Sequence, residues 1–288
     1  MSLMSKKSLS RVYNVFYELF LRRASAKVGT GIVLAITALV VLGPFFMRFG
    51  PYQQTLAIDS PPSLVHPFGT DYLGRDILSQ VVYGGAPSLL IGFLSSVGGA
   101  IIGLVAGLFA GYYPRLEGIL TGTSDVILTF SPLPLLVLIG MLFPNIGILV
   151  YSAIFTILLW PIVTRAIRSQ VLSVKNRPFV DAARTSGMSD SSIIFKIILP
   201  EVGAIAFAYF VLSMAIAVVL IVSLEFLGVG NPDVVSWGST LYWAQQFAFY
   251  RGAWWWVLAP GLCVTLVAVG FALIGFSFET AFNPNVGQ

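Results

Sequence analysis

Charge is what this sequence has least of. Only 10% of its 288 residues are Asp, Glu, Lys or Arg, whereas 57% are hydrophobic. A soluble domain carries roughly 25% charged residues to cover its surface, so a water-soluble globular chain is excluded. Cysteine is almost absent. Cys263 stands alone within an apolar run, which excludes an intramolecular disulfide and marks a small buried hydrophobe. Histidine is equally scarce, and His66 with Cys263 cannot assemble a His/Cys metal cluster. No G-x-x-x-x-G-K-[ST] phosphate loop occurs, so the chain is not expected to hydrolyse a nucleotide or to carry a cofactor of its own. The net charge of +4 is small, and its basic residues are not gathered on one soluble segment, so no nucleic-acid partner is expected.

Long apolar runs fill the space that charge leaves. Six of them approach or exceed the length of a bilayer-spanning helix, at about 29–48, 87–112, 119–142, 147–165, 201–224 and 254–278. The expected fold is an all-α membrane protein of six transmembrane helices, with the lipid bilayer as its main solvent. Sorting the sixteen Lys and Arg residues by alternate loops places Lys6, Lys7, Arg11, Arg22, Arg23, Lys27, Arg115, Arg165, Arg168, Lys175, Arg177, Arg184 and Lys196 on one side. Only Arg48, Arg75 and Arg251 fall on the other. The positive-inside bias puts the larger group and both termini in the cytoplasm.

Residues 1–28 form a basic, amphipathic N-terminal segment ahead of a transmembrane domain at 29–288. Val12, Phe16, Leu19 and Phe20 share one helical face, which suits a helix on an anionic inner surface. Ala24-Ser25-Ala26 resembles a signal-cleavage site, but Asn14 and Glu18 interrupt the apolar core that a signal peptide needs. In the second span Gly99, Gly103, Gly107 and Gly111 recur every four residues, a strip that lets another helix approach closely. Trp254, Trp255 and Trp256 open the sixth span as interfacial anchors. Asp125 is the one acid clearly inside a span. Such acids face a cavity or a partner, and it is expected to order a polar contact within the bundle. Pro132 and Pro134 bend the same helix.

The outer loop, about 49–86, contains "HPFGTDYLGRDILSQVVYGG". Thr70 or Asp71 can cap a short amphipathic helix carrying Leu73, Ile77, Val81 and Val82, with Asp71 and Arg75 paired across one turn. Gly84-Gly85 would end it and Pro87 would open the next span. Its role is anchoring, gating or docking. The inner loop, about 166–200, reads as a protrusion. Pro178 opens a helix with Asp181 early and Arg184 late, Ala182 and Ala183 give a flat tip, and Gly187 stops it. Ser189 or Asp190 caps a second helix over Ser191 to Leu199, with Ile193, Ile194, Ile197 and Ile198 on one face, and Pro200 turns into the fifth span.

Asp181-Ala182-Ala183, Gly187, Ile197, Leu199 and Pro200 resemble the E-A-A-x₃-G-x₉-I-x-L-P loop of ABC importer permeases, with Asp181 in place of Glu. "GTDYLGRD" (Gly69, Thr70, Asp71, Gly74, Arg75 and Asp76 carrying the match) is similar to a signature of the dipeptide and oligopeptide permeases of the C type. "EFLGVGNPDVVSWG" from Glu225, "WWWVLAPGL" from Trp254 and the late Asn283-Pro284 fit the same group. The resemblance implies a type I ABC importer permease in the cell membrane of a prokaryote. It also implies a second permease as partner, two ATPase subunits that hold ATP and Mg, and an extracytoplasmic solute-binding protein. The coupling helix that docks on the ATPase maps to about Asn176–Ser186. Two departures stand out: "GFSFET" at Gly275 to Thr280 replaces a charged tail, and Glu225 stands where a small polar residue is usual. Members of the group carry peptides, and close relatives carry nickel complexes or oligosaccharides. A secondary transporter or channel is the alternative of a different class. It would show paired intramembrane charges or an inverted repeat.

Overall fold

The computed structural model describes residues 24–143, 146–231 and 234–282. The basic segment before Ala24 and the late Asn283-Pro284 lie outside them. Nine helices occur among the described residues: α1 (Ala24–Leu42), α2 (Ile77–Tyr112), α3 (Pro114–Thr129), α4 (Pro132–Leu142), α5 (Ile148–Lys175), α6 (Pro178–Thr185), α7 (Asp190–Phe226), α8 (Trp237–Arg251) and α9 (Trp254–Phe282). Five segments are long and apolar enough to cross a membrane, and α3 with α4 makes a sixth if read as one broken span. The all-α membrane fold expected from hydropathy is therefore observed.

The third span is broken by 78° between α3 and α4. Ser131 precedes Pro132 and adopts φ −69°, ψ 123°, the extended conformation to which a residue before proline is pushed. Pro132 then sits in the first turn of α4, where its missing N–H costs nothing.

Two other boundaries differ from those expected. The outer loop holds no separate amphipathic helix. Asp76, and neither Thr70 nor Asp71, caps α2 by accepting from Ser79 N at 2.8 Å, and the helix runs through Gly84, Gly85 and Pro87 without stopping. The glycine pair is needed for packing, not for termination. A Cβ on Gly84 would lie 2.9 Å from the Ser236 backbone, and one on Gly85 would lie 2.8 Å from the Trp237 ring. Ser88 Oγ donates to Gly84 O at 3.3 Å in the turn that Pro87 disturbs. Nor does Pro200 mark a turn, because α7 is continuous from Asp190 to Phe226. Residues Ile194–Ile198 are wound as a π-helix, and Leu199 N reaches back to Ile194 O. That wider turn absorbs the donor that proline lacks.

Helix packing explains the glycine strip. A Cβ at Gly103, Gly107 or Gly111 would lie 2.5–2.6 Å from the Cβ of Val163, Ile167 or Val171, and one at Gly99 would lie 3.1 Å from Leu159. The neighbour left unnamed by the sequence is α5. Thr164 Oγ1 also donates across this seam to Gly103 O at 3.4 Å. The α2–α5 pair is the most extensive helix contact in the chain, and α1 and α7 pack against α9 through Gly29 and Gly275.

Two cores result. One gathers Val81, Phe155, Ile221, Trp237 and Trp256. The other lies at the α6 end and gathers Val163, Ile167, Val171, Val180, Ile193 and Ile198. Of the tryptophan triplet only Trp254, 62% exposed, stands free as an anchor can. Trp256 is fully buried and stacks on Tyr72 at 5.7 Å.

Candidate functional site

At the end of the bundle where α5 finishes, the loop between α5 and α7 folds into a short, firmly seated helix. Arg177 is extended ahead of Pro178, which starts α6 in its first turn. Val180 is fully buried in the second core, and it fixes the helix from below. Asp181, Ala182, Arg184 and Thr185 are exposed and Ala183 is half-buried. Gly187 adopts φ +79°. Gly187 N donates to Arg184 O at 3.1 Å and Met188 N to Ala183 O at 3.2 Å, the paired bonds of a Schellman stop. Beyond it, Ile193, Ile194 and Ile198 are buried, Ile197 and Leu199 pack at the margin of the same core, and Pro200 is exposed. The glycine stop expected from the sequence is present.

Tyr112, the last residue of α2, was not singled out by sequence. It is buried, and its hydroxyl donates to Asp190 Oδ1 at 2.5 Å. Lys175 at the end of α5 donates to Tyr112 O at 2.6 Å and lies 5.2 Å from its ring. Arg184 Nη1 lies 3.7 Å from Asp181 Oδ1, one turn back on α6.

Asp125 makes the polar contact expected of it, with Arg165 of α5 at 2.5 Å; both side chains are more than half exposed. Glu117 pairs with Arg168 beside it, so two ion pairs fasten α3 to α5. Arg165, Ser169 and Gln170 of α5 then face Tyr209 of α7 and Glu279 of α9 around a cavity of about 450 Å³. Among the described residues no group of three or more His, Cys, Asp or Glu could hold a metal ion.

At the far end, "GTDYLGRD" forms a tight knot. Asp71 is fully buried and accepts from Leu73 N, Arg75 N, Arg75 Nε and Gln80 Nε2, all between 2.6 and 2.9 Å. The Asp71–Arg75 pair exists, but in a loop and not across a helical turn. Thr70 Oγ1 donates to Ala57 O at 2.6 Å, and Asp76 Oδ1 lies 2.9 Å from His66 Nδ1. Gly69 and Gly74 take φ +73° and +74°. The motif's polar side chains thus point inward and organise the loop, with Tyr72 stacked on Phe247 of α8 at 4.2 Å. Glu225 ends α7 and accepts from Ser236 Oγ at 2.6 Å, which ties α7 to the start of α8.

Replacing Asp71 with Ala is expected to destabilise the protein by on the order of 3 kcal/mol, because three buried donor groups and the Arg75 charge lose their acceptor. Reversing the pair, Asp71→Arg with Arg75→Asp, does not restore it, since two backbone amides still require an acceptor at 71. Thermal unfolding in detergent reads this directly, and a fully restored melting temperature in the reversed pair would contradict the assignment.

Helices long and apolar enough to cross a bilayer, a short seated helix at one end and a folded loop at the other fit a multi-pass membrane protein. The chain belongs to the family described as "Binding-protein-dependent transport system inner membrane component", which it matches over residues 99–288. It is 32% identical to a putative peptide transport system permease protein of Brucella suis biovar 1, over 92% of this chain and 90% of that one. It is 34% identical to the dipeptide transport system permease protein DppC of Alkalihalophilus pseudofirmus, over 88% and 86%. A putative peptide permease protein of Brucella suis is 30% identical over 92% and 88%. The resemblance read from the motifs is thereby established at the level of the family.

Proposed function

We propose that this chain is one of two permease subunits of an ATP-driven importer for a peptide-like solute, with α6 as the element that docks on an ATPase subunit. The observation that carries this reading is the α6 tip. Asp181, Ala182 and Arg184 are presented outward on a helix whose underside, Val180, is locked into the core. A surface so small and so rigidly held suits insertion into a groove of a partner protein, because little side-chain entropy is lost on binding. The family description supports a binding protein as the source of solute, and the relatives' names support peptides as its class. The ends of the chain and the α6 tip then face the cytoplasm, and the Asp71 loop faces the binding protein. ATP and Mg are held by the partner subunits, and this chain itself hydrolyses nothing.

Affinity purification of the tagged chain from its native membrane tests the reading. An ATPase and a second permease are expected in stoichiometric amounts. Recovery of the folded chain without either, after mild detergent extraction, would overturn it.

A further inference from the structure

The contacts around Tyr112 have no place in the docking surface itself, yet the elements on either side of α6 converge on this one residue. Its backbone carbonyl, one of those left open at the end of α2, takes the Lys175 ammonium from the end of α5, and a cation there also complements the helix dipole. Its hydroxyl takes the Asp190 carboxylate from the start of α7. The loop that carries α6 is therefore tied at both flanks, through Lys175 before it and Asp190 after it, to a single residue that is itself only 4% exposed. One residue earlier, Gly111 packs against Val171 of α5 with no room for a Cβ, so α2 and α5 are already fixed to one another where Tyr112 sits.

We propose that Tyr112 is the positioning residue that clamps the α6 loop to the α2–α5 pair, so that displacement of α6 moves both long helices as one body. This rests on α6 being the ATPase-docking element. Without the hydroxyl, Val180 and the isoleucines still seat the loop, but its polar attachment to α2 is gone. Losing a hydrogen bond to a charged group raises the population of loops detached from α2 by roughly tenfold or more.

The test uses the whole transporter and needs no knowledge of the solute. After Cys263→Ser removes the lone cysteine, spin labels are placed at Val105 on α2 and Ser191 at the start of α7, both exposed. Their distance is measured without nucleotide and with ATP and vanadate. In the parent the distribution is expected to stay narrow and unchanged between the two states. Tyr112→Phe, which keeps the ring and the packing, is expected to broaden or shift it under ATP and vanadate while the ATPase still co-purifies. Asp190→Ala should do the same. Asp190→Asn, which keeps an acceptor oxygen, should keep the narrow distribution, whereas Asp190→Leu, of similar size but with no acceptor, should broaden it as Ala does. An unchanged distribution in Tyr112→Phe with the ATPase bound would overturn the clamp alone. Absence of the ATPase from the parent would instead overturn the docking reading on which it rests.

Discussion

Gly187→Val is expected to reduce co-purified ATPase by at least tenfold while leaving the chain inserted and folded. No steric clash is involved, since a Cβ at Gly187 would meet nothing within 4 Å. The cost lies in the backbone. At φ +79° a β-branched residue is strained, and the left-handed region already costs roughly 1–2 kcal/mol for an ordinary L-residue. To relieve that strain the chain must give up the bonds from Gly187 N and Met188 N that close α6. The tip of Asp181, Ala182 and Ala183 then loses its fixed orientation. Asn tolerates the left-handed region best among the non-glycine residues, so Gly187→Asn is expected to keep most of the binding. Full retention of the ATPase by Gly187→Val would show that the tip does not need this geometry and would sink the docking assignment.

Gly107→Val is expected to have the opposite character, a loss of the fold and not of a partner. A Cβ there would lie 2.6 Å from Ile167 Cβ, 2.8 Å from its Cγ2 and 2.9 Å from Thr164 O. Two of those three atoms belong to Ile167, whose side chain is fully buried and has nowhere to move. Overpacking of this kind costs about 3 kcal/mol, a large share of the roughly 5–15 kcal/mol by which a protein is stable. Alanine at the same position is expected to cost less but still to lower the melting temperature in detergent. Gly118 and Gly122 of α3 provide the control, because a Cβ at either meets nothing within 4 Å. Alanine there is expected to change stability by less than about 1 kcal/mol. Equal melting temperatures for Gly107→Val and the parent would mean that the α2–α5 seam is not a tight interface.

The features legible in the sequence were those set by local rules. Hydropathy located the spans, the proline pair at 132 and 134 located the break in the third, and Gly187 located the stop of α6. Spacing alone also exposed the strip from Gly99 to Gly111, although not its partner, because a small-residue face specifies closeness without naming what comes close. Failures occurred where tertiary contacts overruled local signals. Gly84, Gly85 and Pro87 are breakers by any local reading, yet the two glycines are there to admit the Ser236 backbone and Trp237. Pro200 failed as a stop because a π-turn upstream accommodates it. Trp256 looked like an anchor since nothing in the triplet distinguishes the ring that meets Tyr72 from the one that does not. The sites at Tyr112 and Glu117 join residues more than fifty positions apart, and no spacing rule reaches that far.

The π-turn in α7 has a mechanical consequence. Because the helix does not break at Pro200, it forms one rod of 37 residues, about 55 Å long at the usual rise. One end begins beside the α6 tip, and the other carries Glu225, which grips the start of α8. A tilt of about ten degrees about the middle of a helix that long would swing its ends by about 5 Å, in opposite directions. Asp190 beside the α6 tip and Glu225, bonded to Ser236 of α8, are thus carried by one continuous helix.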